Sequence, residues 1–267
     1  MSSLAMRTIS LKEHETSFEA LSPAELDDLL RSDLVRLSPG RGGTYGIRPA
    51  AVVGTAVLPN LRLRIEPKLA VGNLVFLLAY GLGIARLGDG EFPYEAEDPI
   101  SAALAWLYAN QARFALRRGL VRGYEHREET VEAPIGAIRF AHQFARRQSL
   151  PHPIECSFEE FTTDTQMNQI LRAAHSLLLR RSDVSPSVHS LLRHQMQALQ
   201  DVKHVHFGPT RVPNPSFSRL SEHWRSPIGL ARLIIEGAGV NHREEALSAP
   251  AFTINMNQLF ERFITAV

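Results

Sequence analysis

The stretch Leu61-Arg62-Leu63-Arg64-Ile65-Glu66 decides the fold class of the first third of the chain. Its apolar residues alternate with charged ones, and this period of two is typical of a strand with one buried and one exposed face. Three runs upstream also predict strands: Leu34 to Leu37, Tyr45 to Ile47 and Ala51 to Val57. Before them, Ser22-Pro23-Ala24-Glu25 predicts a helix start with a capping box. Residues 1–90 are therefore predicted to form a small β-rich unit.

Helical patterns dominate the sequence further downstream. Asn73 is interpreted as the cap of a short apolar helix that ends near Gly81 and Gly83. A loop signal, Gly88-Asp89-Gly90, precedes the next unit. Further helix starts are predicted at Asp98-Pro99, Asp164, Ser185-Pro186 and Ser226-Pro227. Extended segments are predicted for Leu120 to Ala133 and Ile154 to Phe161. The sequence thus predicts an α+β protein whose residues 91–250 are mainly helical.

The C-terminal stretch, residues 251–267, carries apolar residues at roughly helical spacing. They are Ile254, Leu259, Phe260, Phe263, Ile264 and Val267. This spacing predicts a helix with one apolar face, and no Gly, Asn or Pro closes it. We therefore expect it to pack against a downstream element that this sequence lacks. The alternative is a terminal helix that docks on the body of the protein.

Composition limits the classes of function. The 267 residues are 44% hydrophobic and 21% charged, as in ordinary globular proteins. A formal net charge of +1 gives no global signature of a nucleic-acid or membrane binder. The single cysteine, Cys156, excludes an internal disulfide framework and a cysteine-based zinc site, and a reducing cytoplasm fits it best. The longest apolar run, Leu74 to Leu82, is too short to span a bilayer.

Two patterns associated with phosphate chemistry are interpreted as accidental. The glycine-rich stretch Pro39 to Gly43 lacks the Gly-Lys-Ser/Thr ending of a phosphate-binding loop, so a hairpin turn is predicted. Nucleases of the PD-(D/E)xK type need an Asp and an acidic-x-Lys strand to hold a metal. Such matches occur at Asp33 with Glu66-Pro67-Lys68, and at Asp183 with Asp201-Val202-Lys203. Pro67 fits poorly in a central strand, and the second match lies at a helix end.

Three other features have competing interpretations. His204 and His206 alternate as two ligands on one strand face would, but without a third ligand an exposed strand face is favoured over a metal site. Cys156 is interpreted as buried filler rather than a nucleophile. Arginines cluster at Arg113, Arg117, Arg118 and Arg122, and at Arg139, Arg146 and Arg147. They are compatible with phosphate contacts, with an acidic partner surface or with a plain solvated face.

Four stretches, in this order, are similar to one known family. They are Leu61 to Lys68 with Asn73-Leu74; Arg118 to Tyr124 with Ile135 to Ile138; Cys156 to Thr165 with Asn168 and Ile170-Leu171; and Met256 to Glu261. Together they run from about residue 50 to the end of the chain. On these residues the chain resembles McrC, the partner subunit of the McrBC 5-methylcytosine restriction system.

The resemblance implies that two regions of such proteins have different functions. An N-terminal region of such proteins docks on a hexameric AAA+ GTPase, McrB, and stimulates GTP hydrolysis, while a C-terminal PD-(D/E)xK nuclease domain cuts DNA. GTP is then bound by the partner, Mg²⁺ is expected only with an intact nuclease domain, and DNA is reached through the complex. Neither a cofactor nor a metal is expected in this chain. A cytoplasmic location without a membrane is expected.

Site residues follow from the resemblance as well. Residues 251–267 would be the first helix of a truncated nuclease domain, in which Glu261 is a peripheral carboxylate that cannot form a metal site alone. We therefore expect no DNA cleavage by this chain by itself. Family-motif or partner-binding residues are Pro67, Lys68, Arg118, Arg122, Tyr124, Asp164, Asn168 and Asn257.

Several alternatives stay open at this point. Lys68 and the arginines are candidates for a basic group that stabilises phosphoryl charge in the partner's active site. Lys68 fits equally well along a sheet edge with its charge in water. The chain could also belong to a nuclease subunit whose catalytic domain lies beyond this sequence. A third interpretation is a stand-alone DNA-binding module that uses Arg113 to Arg122.

Overall fold

The structure, a computed structural model, describes residues 6–84, 92–95, 98–147, 152–208, 211–239 and 252–256. In chain order the elements are β1 (Arg7–Lys12), β2 (Ser17–Glu19), α1 (Pro23–Arg31), β3 (Val35–Pro39), β4 (Tyr45–Pro49), β5 (Val52–Val57), β6 (Leu61–Glu66), α2 (Val71–Gly81), α3 (Ile100–Leu116), β7 (Gly123–Val131), β8 (Ala137–Ile138), α4 (Phe140–Arg147), β9 (Ile154–Thr162), α5 (Gln166–Leu179), α6 (Pro186–Ala198), α7 (Arg225–Gly239) and β10 (Phe252–Asn255). A 3-10 turn, Glu222–Trp224, leads into α7. The α+β fold class predicted from the sequence is confirmed.

The first sheet confirms the alternating pattern of β6. Its strand order is β1-β6-β5-β10, with β1 parallel to β6 and β5 antiparallel to both of its neighbours. Leu61, Leu63 and Ile65 are buried, whereas Arg62 between them is exposed. One face of β6 therefore contributes to the core and the other faces outward.

The second sheet has the strand order β2-β4-β3, and helix α1 lies between β2 and β3 in the sequence. The predicted capping box is present: the Glu25 backbone N–H donates to Ser22 Oγ (3.3 Å), and the Ser22 N–H donates to Glu25 Oε2 (2.8 Å). The glycine-rich stretch is the hairpin turn between β3 and β4, with positive φ at Gly42 and Gly43. The prediction of a turn rather than a phosphate-binding loop is thus confirmed.

Helix α3 lies at the centre of the helical part. It is buried on almost every side and packs against α2, α6 and α7, while α5 packs against α6 and α7. Buried side chains such as Leu63 of β6, Leu107 of α3 and Leu171 of α5 belong to one continuous apolar cluster. The first sheet and the helices therefore share a core. Within the described residues, none of the helices has the length and hydropathy needed to cross a membrane.

The third sheet is built differently from the other two. Its order is β7-β9-β8, all antiparallel, and Tyr124 at the start of β7 lies opposite Phe161 at the end of β9. Among the described elements, this sheet and α4 pack chiefly against one another. β7 and β9 confirm the two extended segments predicted from the sequence.

Two sequence predictions about helices are wrong. Phe252–Asn255 is a strand that pairs with β5, whereas the C-terminal pattern predicts a helix over residues 251–267. A short apolar run does not distinguish strand from helix, and an open edge of β5 was available for pairing. Asn73 lies inside α2 rather than capping it, because the buried face of the helix already begins at Val71 and Ala70 is the N-cap.

Other predictions lie outside the described residues or were not made. The loop Gly88-Asp89-Gly90, the boundaries at residues 90 and 250, and residues 257–267 with the rest of the predicted C-terminal helix lie outside. Strand β1 was missed, although Ile9 and Leu11 are buried between exposed Thr8, Ser10 and Lys12. Its alternation was visible, but its parallel pairing with β6 joins residues far apart in sequence.

Candidate functional site

The third sheet and α4 expose an unusual number of large apolar side chains. We call the following residues the exposed apolar set: Tyr124, Ile135, Ile138, Phe140, Phe144 and Phe161. Tyr124 is 73% exposed, and its ring lies 5.0 Å from that of Phe161 across the strands. Phe140 and Phe144 are one helical turn apart and therefore share a face of α4. Tyr124 with Phe161 and Phe140 with Phe144 thus form two exposed apolar pairs, and exposed apolar groups of this kind mark interaction sites more often than isolated side chains do.

We call the end of this sheet where β7 begins and β9 ends its root. It is fixed by Asn168, which is fully buried at the start of α5. Its Nδ2 donates to the carbonyl oxygens of Val121 (2.8 Å) and Thr163 (2.6 Å). Its Oδ1 accepts from the Val121 backbone N–H (3.3 Å). One amide side chain thus ties the segment before β7 to the segment after β9, as buried polar groups require partners.

Asp164 forms a second junction beside Asn168. Its buried carboxylate accepts from the Lys203 backbone N–H (2.7 Å) and from Gln169 Nε2 (2.9 Å). The same carboxylate lies 3.6 Å from the Arg127 guanidinium and 3.8 Å from Lys203 Nζ. The end of β9, the start of α5 and the segment after α6 therefore meet at one carboxylate. This anchoring holds the end of the sheet that carries Tyr124 and Phe161 in a defined position.

A second feature is an open cleft of about 460 Å³ between the ends of α2 and α3 and the start of α7. We call it the basic cleft; its lining residues are Leu82, Gly83, Arg118, Arg219, Glu222, His223, Arg225 and Ser226. The Ser226 hydroxyl donates to the Leu82 carbonyl (3.1 Å) and so ties α7 to the end of α2. Arg225 is held by Glu222 through Nε–Oε1 (2.6 Å) and Nη2–Oε2 (3.1 Å), and it lies over the Phe217 ring (4.9 Å).

The charges in the basic cleft do not cancel. Arg118 and Arg219 have no ion-pair partner within the described parts of the chain, whereas the carboxylate of Glu222 is already engaged by Arg225. Burial and the positive charge of Arg118 lower the pKa of His223, against the opposing effect of its hydrogen bond to the Leu220 carbonyl. A neutral His223 at pH 7 leaves three arginines against one glutamate, a local charge of about +2.

Comparisons with known proteins identify the family. The model of the McrBC 5-methylcytosine restriction system component matches residues 47–267, which is most of the chain. The chain belongs to this family. No curated protein sequence matches it.

Two solved structures share the fold. One is the cryo-EM structure of the Thermococcus gammatolerans McrBC complex, 23% identical over 97% of this chain and 86% of that chain, with a TM-score of 0.52. The other is a half-complex from a tetradecameric assembly of Thermococcus gammatolerans McrB AAA+ hexamers with bound McrC. It is 22% identical over 97% of this chain and 69% of that chain, with a TM-score of 0.53. These likenesses show a common fold along nearly the whole chain.

The structure brings together part of the McrBC-family motif set. Asn168 and Asp164 are buried at the root of the third sheet, and Arg122 and Tyr124 are exposed beside that root. The second and third family stretches therefore meet, through Val121 with Asn168 and Tyr124 with Phe161. The functional roles predicted for these residues stay predictions.

The remaining motif residues lie elsewhere. Arg118 lines the basic cleft, and Pro67 follows β6. The Lys68 backbone N–H donates to Glu13 Oε2 (3.2 Å), and its side chain is exposed. Asn257 and Glu261 lie outside the described residues, as does the side chain of Arg147.

The other candidate residues have structural explanations. His204 and His206 are exposed in an irregular segment, so the predicted strand face is wrong; their rings lie 4.5 Å apart. Asp164 and Arg172 tie this segment to α5 by accepting from the Lys203 N–H and donating to the Val202 carbonyl, which takes it out of sheet pairing. Cys156 is buried, as predicted. Among the described residues, no three His, Cys, Asp or Glu side chains are grouped as metal ligands would be.

Sequence reasoning missed two groups of residues. Phe140 and Phe144 were detectable, because two phenylalanines four residues apart in a polar segment form one exposed helix stripe. Arg219, His223 and Arg225 gave no such signal: they form a cleft only when the start of α7 meets the ends of α2 and α3.

Proposed function

We propose that this chain is an McrC-like subunit that binds an AAA+ GTPase resembling McrB and stimulates its GTP hydrolysis in the restriction of modified DNA. The family match over residues 47–267 carries the proposal, and the fold shared with a chain of the McrBC complex supports it. In this proposal GTP is bound by the partner and DNA is reached through the complex. A cytoplasmic location, where DNA and GTPase are both available, fits this role.

We assign docking on the GTPase to the exposed apolar set. Large apolar and aromatic side chains dominate the binding energy of protein interfaces when they become buried there. Phe140, Phe144 and Tyr124 are exposed in the isolated chain, and burying each such side chain is worth about 1.5–3 kcal/mol. The hydrogen bonds of Asn168 and Asp164 pre-organise the sheet, which lowers the entropic cost of binding.

A basic side chain beside the docking surface is needed for the stimulating step. A cation supplied by a partner stabilises negative charge on a transferring phosphoryl group. Arg122 is exposed and lies two residues before Tyr124, so docking of the apolar set would carry it to the interface. Among the candidate cations, Arg122 is therefore our choice over Lys68, which follows β6.

GTP turnover by the McrB-like protein from the same source, measured with and without this chain, tests the proposal. We expect marked stimulation by the wild-type chain and its loss in the double variant Phe140→Ser, Phe144→Ser. Phe76→Ser on α2 is a matched control, because Phe76 is 61% exposed and Phe140 is 63% exposed. Absence of stimulation by a folded wild-type chain would refute the activator role. Equal loss in the control would refute the docking assignment.

A further inference from the structure

We infer that the basic cleft is a phosphate-binding site that holds the phosphodiester backbone of DNA. The inference concerns direct contact between this chain and DNA, and it does not depend on docking to a GTPase. Its lining comes from three separate segments: Leu82 and Gly83 after α2, Arg118 after α3, and the stretch from Arg219 to Ser226 that leads into α7. Their convergence on one opening is a property of the folded chain.

The chemistry of the lining suits phosphate. Guanidinium groups present planar forks of N–H donors that match phosphate oxygens, often in pairs of hydrogen bonds. Arg118 and Arg219 are exposed, and within the described residues neither is neutralised by a carboxylate. Arg225 is oriented by Glu222 and by stacking on Phe217, so its guanidinium is held in a fixed place. A ligand that brings negative charge would relieve the repulsion among these cations.

The lining also favours a nucleic-acid backbone over a nucleotide. Among the described lining residues, the imidazole of His223 is the one ring, and the remaining apolar surface comes from Leu82. A nucleotide site needs an aromatic or apolar slot for the base, whereas contacts to the DNA backbone need only cations and space along an open surface. Arg117 and Arg122, both exposed, flank Arg118 in sequence and extend the supply of positive charge.

Binding of a fluorescent DNA duplex by the full chain, followed by anisotropy at several salt concentrations, tests the site. We compare the double variant Arg118→Ala, Arg219→Ala with Arg36→Ala, Arg48→Ala, which removes two exposed arginines that face each other on β3 and β4. The cleft variant should weaken binding by about tenfold or more. Its slope of log K against log salt should fall by about two, roughly one per lost phosphate contact. The control variant should stay within about twofold of wild type.

A spectroscopic measurement on His223 keeps the inference testable if the variants are unstable. A phosphate placed among Arg118, Arg219, Glu222 and Arg225 favours the protonated imidazole, so duplex DNA should raise the pKa of His223 in the wild-type chain. Histidine ring signals in an NMR titration report this directly. An unchanged His223 titration in the presence of saturating DNA would place the DNA elsewhere and overturn the inference.

Other probes separate the alternative ligands. Inorganic phosphate, GTP and polyglutamate are titrated under the same conditions. Competition by GTP at concentrations far below those of inorganic phosphate, without DNA binding, would assign the cleft to a nucleotide and overturn our choice. Binding of polyglutamate without DNA would assign it to an acidic protein. If the cleft and control variants weakened DNA binding equally, the loss would reflect overall positive charge rather than the cleft, and the inference would be overturned. The variant Phe140→Ser, Phe144→Ser should retain DNA binding, which separates this inference from the docking proposal.

Discussion

The polar groups of the helical core are buried and hydrogen-bonded to one another, whereas most of those of the third sheet lie at the surface. Between α3, α5 and α6, His175 Nε2 donates to Gln195 Oε1 (2.9 Å), and Gln195 Nε2 donates to the Ala109 carbonyl (2.8 Å). All of these groups are buried. On the third sheet, by contrast, Arg127 and Glu160 pair across the strands at 3.0 Å in contact with water. The core therefore uses its polar groups for buried hydrogen bonds, whereas the polar groups of the sheet form ion pairs at the surface.

The protonation state of the core chain follows from burial. Burial lowers the pKa of His175 and raises that of Tyr108 well above its ordinary value, so both are neutral at pH 7. Since Gln195 uses its amide N–H on Ala109, its oxygen must accept from His175 Nε2, and Nδ1 faces the Tyr108 hydroxyl at 2.7 Å. Neutral, paired groups of this kind tie three helices into one unit and provide a rigid platform for the sheet.

The sharpest test of this contrast is a leucine truncation in each kind of environment. Leu107→Ala in α3 should lower the free energy of unfolding by about 2–5 kcal/mol, because it removes buried methyl groups and leaves a cavity. Leu220→Ala should change it by less than about 0.5 kcal/mol, because Leu220 is 87% exposed. Urea denaturation measures both. Similar losses at the two positions would show that α3 is not the stabilising centre.

The root of the sheet should respond with an intermediate loss. Asn168→Ala leaves the Val121 N–H and the carbonyls of Val121 and Thr163 without their side-chain partner, at a cost of about 1–3 kcal/mol. Gln166→Ala, an exposed amide on the same helix, is the control and should stay within about 0.5 kcal/mol. Hydrogen exchange at the Val121 amide locates the effect. Unchanged protection there would mean that Asn168 does not fasten the sheet.

The same contrast explains which features are predictable from sequence. The alternation in β6, the capping box at Ser22 and the helix start at Ser185-Pro186 are encoded by residues within a few positions of each other, and all three are found. Strand β10 was predicted as helix, because its pairing with β5 joins residues about two hundred positions apart. Local sequence patterns predict most helices and strands. When an apolar run is short, however, pairing with a distant strand decides whether it forms a strand or a helix.

The candidate sites also differ in how far the sequence alone could predict them. The resemblance singled out Asn168 and Asp164 by their position in a motif, but only the structure shows that Asn168 spans from Val121 to Thr163. The basic cleft was out of reach, since Arg219 and Arg225 stand about one hundred residues from Arg118 and carry no shared pattern. The arginines of the basic cleft indicate a binding site only in the folded chain, where they line one opening.

A pH series tests the neutral core chain. The unfolded pKa of a histidine is about 6.5 and the folded pKa of His175 lies below it. Above pH 6.5 neither state binds the proton, and the stabilising effect of the neutral ring is complete. Below it the unfolded state binds more protons, so stability falls as the pH drops towards the folded pKa, by at most about 1.4 kcal/mol per pH unit.

Chemical denaturation at several pH values below 6.5 measures this slope, and His175→Gln should reduce it by about one proton. His204 and His223 also have lowered pKa values and contribute in the same direction, but they are present in both proteins and cancel in the comparison. An identical slope in the variant would mean that His175 is protonated in the folded state.

The smallest effect is expected on the sheet surface. Glu160→Gln removes the cross-strand ion pair with Arg127, but Arg127 keeps Asp164 at 3.6 Å, and the Glu160 side chain is half exposed. The loss should therefore be about 0.2–1 kcal/mol and should shrink further at high salt. Glu129→Gln on β7 is the control: Glu129 is exposed and has no ion pair among the described residues, so no salt-dependent loss is expected. A loss at Glu160 as large as that at Asn168 would contradict the division between platform and sheet, because the surface pair would then carry as much stability as the buried root.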